Sequence, residues 1–328
     1  MQTLLARWET IKQSIGGNRE KTGFEFTFGQ PKEEFFHVTM PAAYLRRTIS
    51  EALFAIQLSG ERQGEFDALI DESLRVMENA LQTEGAISRQ AAMQAEDALL
   101  PISSAAKEYE ILCAAHAHID MNWMWTWHET VGAALATFRT MLDLMREYPQ
   151  FTFSQSQASV YRIVEEYDPE MMREIQERIR EGRWEVTASA WVETDKNMPA
   201  TESLLRHIRE TRAYMKDVWG VPGEALEIDF SPDTFGHSAN VPEIDSHGAV
   251  KYLYHCRGLD EEHVLYRWRG LSGREILAYR EPYWYNSAIT PDIGCGLLGR
   301  LKKCAGLKTG LIVYGVGDHG GGPTRRDV

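Results

Sequence analysis

A chain of 328 residues with 43% hydrophobic and 25% charged residues is globular rather than disordered, and long enough for one large α/β domain plus a smaller one. Its 48 acidic against 35 basic residues give a net charge of -13, with no basic run to offset it. That balance excludes a nucleic-acid backbone as partner and favours a neutral or cationic ligand.

From the N-terminus, Leu4, Leu5, Trp8 and Ile11 recur at helical spacing, but Arg7, Glu9 and Lys12 interrupt them, so Met1 to Ser14 is not read as a signal peptide. No window approaches the roughly 18 uninterrupted apolar residues of a membrane span. The four cysteines (Cys113, Cys256, Cys295, Cys304) lack Cys-x-x-Cys spacing, which points to a reducing, cytoplasmic compartment. Candidate strands at Phe24–Phe28 and Phe35–Thr39 precede predicted helices over Pro41–Leu58, Gln63–Leu81 and Ser88–Leu99. Residues 1–105 thus read as a mainly helical accessory domain without visible chemistry, bounded by Pro101 to Ala105. Phe35 and Phe36 are its candidate contact for a homo-oligomer.

From residue 106 to 328 strands alternate with helices. Strands are expected at Glu110–Ala115, Phe151–Gln157, Arg183–Trp191, Leu226–Phe230, Lys251–Cys256 and Leu311–Val316, with a hairpin at Val264–Trp268 and Glu275–Arg280. Helices are expected at Gly132–Glu147, across Tyr161–Arg180 with a break near Pro169, from Pro199 and Thr201 to Val218, and at Pro242–His247. Such alternation predicts a parallel sheet, open or closed into a barrel.

In parallel α/β folds the ligand site lies outside the carboxyl ends of the strands. Four polar clusters fall at such ends: His116, His118 and Asp120; Trp191, Glu193 and Asp195; Asp233 and His237; and Asp318 with the glycines after it. His-x-His-x-Asp on one strand face lets imidazole and carboxylate reach a single ion, although a metal-free hydrogen-bonded cluster has the same residues. Trp123, Trp125 and Trp127 alternate just beyond; core packing is one use for them, and a platform for the apolar face of a sugar is another. Asp233 alone reads as a turn or helix-cap aspartate. The glycine run after Asp318 lacks a P-loop lysine and reads as a tight turn.

Taken together, His116-Ala-His118-Ile-Asp120 with Trp123, Trp191-Val-Glu-Thr-Asp195, Ser231-Pro-Asp233-Thr-Phe-Gly-His237 and Gly317-Asp318-His-Gly-Gly-Gly-Pro-Thr324 resemble the signature blocks of glycoside hydrolase family 38 α-mannosidases, in particular the cytosolic and bacterial branch. The blocks stand in the family's order and span about residues 108 to 328. The resemblance implies a seven-stranded β/α barrel and retaining hydrolysis of terminal, non-reducing α-mannosides. It implies His118, Asp120 and Asp233 as metal ligands, and Asp233 also as the nucleophile that forms a covalent glycosyl-enzyme. Trp123, Asp195 and His237 are implied near the sugar, and His116 behind a ligand. Asp318 is the candidate general acid/base, although this chain reads Asp-His-Gly where relatives read Asp-Asp or Asp-Gly.

Retaining hydrolysis needs a second carboxyl about 5–5.5 Å from the nucleophile to protonate the leaving oxygen. A divalent ion beside Asp233 would favour its ionised form and could orient two sugar hydroxyls. Zinc is the expected ion, with cobalt or calcium also compatible with the donor set. Family members continue into helical and β-sandwich domains that supply a further histidine ligand. A truncated site is therefore expected here, in which these 328 residues hold metal weakly and turn over α-mannosides poorly or not at all. The rival readings are a metal-dependent deacetylase or amidohydrolase and a catalytically inactive carbohydrate-binding module.

Overall fold

The computed structural model describes residues 2–15, 19–24, 37–258, 264–281, 284–291, 293–301, 304, 306–317 and 319–328. The chain divides into two compact units, one comprising Met1–Glu110 with Thr290–Lys302 and the other Ile111–Ile289 with Lys303–Val328.

In the first unit α1 (Gln2–Ser14) is followed by the antiparallel strands β1 (Arg19–Phe24) and β2 (His37–Pro41), then by α2 (Ala43–Glu61), α3 (Asp67–Glu84), α4 (Arg89–Leu99) and the short α5 (Ser103–Ala106). Most of the strand expected at Phe24–Phe28, together with Phe35 and Phe36, lies outside the described residues. Helix α3 begins four residues later than its apolar spacing predicts. The cause is backbone geometry: Gln63 and Gly64 take φ of 56° and 87°, which no right-handed helix accepts. Gly85, left-handed at φ 71°, ends α3, and the Ser88 hydroxyl accepts from the Ala91 amide to start α4. The apolar stripes meet in a core around Leu45, Leu58, Ile70, Leu74 and Met77. Leu298, from a helix over Ile293–Leu301 that the sequence reading did not anticipate, joins the same core.

The second unit alternates as expected: β3 (Glu110–Ala115), α6 (Trp127–Glu147), β4 (Phe153–Gln155), α7 (Ala158–Tyr167), α8 (Pro169–Arg180), β5 (Trp184–Val186), α9 (Thr201–Trp219), β6 (Ile228–Ser231), α10 (Val241–His247), β7 (Tyr252–His255), β8 (Leu265–Arg269), β9 (Glu275–Arg280) and, after the Ile293–Leu301 helix that belongs to the first unit, β10 (Thr309–Tyr314). Helix α6 starts five residues before the predicted Gly132. Thr126 and Glu129 form a capping box there, with the Thr126 amide donating to Glu129 Oε2 at 2.7 Å. The break near Pro169 falls where expected, because Asp168 caps the Met171 amide and proline opens α8. Strand β5 is shorter than predicted. Beyond Val186 the backbone turns on itself, Ser189 donating to the Thr187 carbonyl, and the loop that reaches the site starts early.

Hydrogen-bonded ladders form short separate sheets: β10 with β3, β4 with β5 in parallel, and β6-β7-β9-β8, in which β8 and β9 are the expected hairpin. Between these sheets, among the described residues, the links are isolated bridges and side-chain hydrogen bonds. His116 bridges to Ser154, whose hydroxyl donates to the Ala115 carbonyl, and the buried Glu281 accepts from both the Tyr254 hydroxyl and the Val313 amide. With strands of three to six residues, few ladder bonds form before each chain leaves the sheet. The fold shown is mixed α/β.

Aromatic rings fill the interior beside β4 and β5. Trp184 meets Phe138 and Phe153 edge-on at 5.1 and 4.8 Å, and its indole N–H donates to the Tyr161 hydroxyl at 3.0 Å. Phe138 is fully buried. Phe138→Ala should therefore cost about 3–5 kcal/mol, read as a lower urea midpoint in equilibrium unfolding.

Candidate metal centre

Past the end of β3 the chain stays extended, so His116 and His118 fall on the same side with Ala117 and Ile119 buried between and after them. Both histidines are buried, yet they meet different surroundings. His116 Nδ1 donates to the Ser154 carbonyl at 3.0 Å and its ring lies 4.6 Å from that of Phe230. Burial, reinforced by the neighbouring His118, pushes its pKa down to about 3, so it is a neutral strand-to-strand tie. His118 Nε2 lies 3.1 Å from Glu193 Oε2. Because the carboxylate accepts, that nitrogen donates, and Nδ1 on the other side of the ring lies 3.9 Å from Asp120 Oδ1.

His118, Asp120 and Asp233 each offer one ligand atom within 4.8 Å of the other two. They come from beyond the ends of β3 and β6, and the donor set of one imidazole nitrogen and two carboxylates suits a divalent ion. Asp233 is also engaged by Arg257, whose Nε donates to Oδ1 at 2.6 Å. The guanidinium is itself sandwiched, 4.1 Å from the Phe235 ring centre and 5.0 Å from that of Trp284. Its backbone is pinned: His255 Nδ1 donates to the Arg257 carbonyl at 2.7 Å, and Tyr266 donates to His255 Nε2 at 2.6 Å.

The remaining expected residues separate. Asp195 Oδ1 accepts from the Asn197 and Met198 amides at 2.7 and 2.9 Å, so one oxygen serves as a turn cap. Trp123, half exposed, stands edge-on to Trp125. His237 is not in the three-residue cluster; it packs against His255 and Trp268. Asp318 lies outside the described residues. What the sequence reading named without giving it a role is Glu193. Its Oε1 accepts from the Asp233 amide at 2.7 Å and the Thr234 hydroxyl at 3.0 Å, while Oε2 holds His118. Its position two residues before Asp195 was the available signal, and only its partners distinguish it. Arg257 had no motif to announce it.

Residues 108–327 match the description "Glycosyl hydrolases family 38 N-terminal domain". The chain belongs to glycoside hydrolase family 38. Among its relatives, Alpha-mannosidase G of Dictyostelium discoideum is 31% identical over 220 residues, covering 65% of this chain and 20% of that protein. Alpha-mannosidase 2C1 of Homo sapiens is 30% identical over 227 residues, covering 66% and 21%. This family 38 chain therefore spans about a fifth of the length of the curated relatives it matches. A crystal structure of an alpha-mannosidase from Enterococcus faecalis V583 is similar in fold, with a TM-score of 0.58 at 18% identity, covering 66% of this chain and 26% of that one.

Burial pushes the His237 pKa from its ordinary 6.5 down to about 4, and Lys196 and His255 push the same way, against Asp229 and Asp195. A base lowered on folding contributes its stability fully above pH 6.5 and loses it as pH falls towards 4. Between pH 7 and 4.5 the protein should lose about 2–3 kcal/mol more than its His237→Gln variant, measured by urea unfolding followed through tryptophan fluorescence.

Proposed function

We propose that this chain carries the metal-binding, nucleophile-bearing part of a retaining α-mannosidase acting on terminal α-D-mannosides or mannose-containing oligosaccharides. The observation that carries the reading is the convergence of His118, Asp120 and Asp233 within 4.8 Å, in a chain whose residues 108–327 match family 38. In this reading these three residues hold one divalent ion, with zinc favoured and cobalt or calcium as substitutes. When bound, the ion supplies a positive charge and coordination positions for sugar hydroxyls.

Asp233 attacks the anomeric carbon. Its amide is fixed by Glu193 and its carboxylate by Arg257, so the attacking oxygen is held rather than free to rotate. Asp318 is the candidate acid that protonates the leaving oxygen and then activates water, following the two-carboxyl logic of retaining glycosidases. Trp123, with its exposed indole, offers an apolar face to a sugar ring, and Asp195 and His237 are kept as substrate-side residues. His116 supports the strand that bears His118.

The scaffold belongs to the same proposal. Taken in order, β3, β4, β5, β6, β7, β9 and β10 are the seven staves of a β/α barrel. The His116–Ser154 bridge and the Glu281 contacts support closure where ladders are interrupted. Residues 1–105 would form the helical accessory domain and 106–328 the catalytic one. No described helix is long and apolar enough to cross a membrane; a cytoplasmic location and a possible homo-oligomer are retained as parts of this proposal.

In a full-length protein that contains this chain, labelling with a fluorinated mannosyl reagent followed by peptide mass spectrometry should place the adduct on Asp233. A protein that hydrolyses an α-mannoside without ever forming that adduct would support metal-activated water instead, as in the deacetylase or amidohydrolase reading. In a full-length protein that contains this chain, Asp233→Ala should lower hydrolysis of an aryl α-mannoside by more than about a thousandfold; unaltered biological activity in that variant would favour the inactive binding module. In zinc titration by calorimetry, Glu193→Ala should bind about 10–100-fold more weakly than the parent.

A further inference from the structure

Behind the three-residue cluster lies a second group of charges that the mechanism above does not use. Lys196, in the loop after β5, points inward with its side chain 9% exposed, and its ammonium pairs with Asp229 Oδ2 on β6. Asp229 Oδ1 accepts from the Ser231 hydroxyl at 2.7 Å. Asp245, from α10, is also buried, and burial together with the adjacent Asp229 pushes its carboxyl well above the usual range. Against the opposing effect of burial, Lys196 and the Ser231 hydroxyl hold the Asp229 carboxyl below its usual range.

A lysine is costly to bury and needs its partner in place, so this pair has a definite geometry. What it fixes is the approach of two loops. The Lys196 amide donates to the Gly236 carbonyl at 2.9 Å, and Thr234 Oγ1 reaches the Thr194 carbonyl at 3.3 Å. At Gly236 a Cβ would meet the side-chain ends of Asn197 and Asp195, 2.7 Å from Asp195 Oδ2, so the two loops run close together there. Three residues upstream on one loop is Glu193, and three residues upstream on the other is Asp233.

Resting on the metal-site reading, we propose that Lys196 is a positioning residue: its buried ion pair with Asp229 locks the 193–198 loop against the 233–237 loop and so sets Glu193 between His118 and Asp233. The lock acts through the backbone. Lys196 touches neither sugar nor ion, and its effect on the site passes through Glu193.

Two variants separate positioning from mere neutralisation of a buried charge. Lys196→Met leaves Asp229 alone in the interior and should lower the melting temperature. Lys196→Met with Asp229→Asn removes both charges and should melt close to the parent. In hydrogen-exchange mass spectrometry without metal, both variants should exchange the amides of 193–198 and 233–237 at least tenfold faster than the parent. In cobalt(II) titration followed by visible absorption, both should bind at least tenfold more weakly. A double variant whose loops exchange as in the parent overturns the lock, and one whose loops loosen while cobalt affinity holds overturns its positioning role. A parent protein that binds no cobalt defeats the metal-site reading instead, and the exchange result still decides the lock.

Discussion

The carboxylate of Glu193 is the constraint on which the geometry of the site depends. One oxygen accepts a hydrogen bond from His118 Nε2, and the other accepts from the Asp233 amide and the Thr234 hydroxyl. Hydrogen bonds to a charged group contribute about 1.5–3 kcal/mol each, enough to hold loops from different strands in one arrangement. Glu193 is itself seated by Gln157, whose side-chain oxygen accepts from the Glu193 amide and whose nitrogen donates to the Ile119 carbonyl. Gln157 pays for that bridging position with a backbone φ of 63°, a strain kept because both ends of its amide are engaged.

Around this carboxylate the site separates into layers with different tasks. The front holds His118, Asp120 and Asp233, with Arg257 clamped between Phe235 and Trp284 against the nucleophile candidate. Behind it, buried imidazoles do the structural work: His116 ties β3 to β4, and His255 transmits the Tyr266 contact to the Arg257 backbone. Burial pushes the pKa of both rings down, which favours the uncharged form that bonds carbonyls and hydroxyls. The Lys196–Asp229 pair is the charged counterpart of the same support.

Much of this was legible before the structure. Alternating periods of two and 3.6 placed the second unit's strands and helices in the right order, and the hairpin of β8 and β9 was visible in its two short β-rich runs. Boundaries moved where a backbone torsion or a cap overrode periodicity, as at Gln63 and Gly64 before α3 and at Thr126 before α6. The helix Ile293–Leu301 was missed because its three glycines obscure the helical signal. In the site, the family resemblance pointed to His118, Asp120 and Asp233 by their motifs. It had no means of separating Glu193 from Asp195, two carboxylates in one short block that the fold turns to different partners.

By itself the sequence determined the elements and the supply of ligating groups at strand ends, since helix and strand periodicity and loop composition are local properties. It also determined membership of family 38, because four short blocks in one order are specific together. Only the tertiary structure decided which of those groups face one another. The separations of 75 positions from His118 to Glu193 and 40 from Glu193 to Asp233 are bridged by packing of strands and loops rather than by any repeat in the chain. Burial then assigned the roles: it made His116 a neutral tie, gave Lys196 an obligatory partner in Asp229, and left the cluster of His118, Asp120 and Asp233 as the place where an ion can be held.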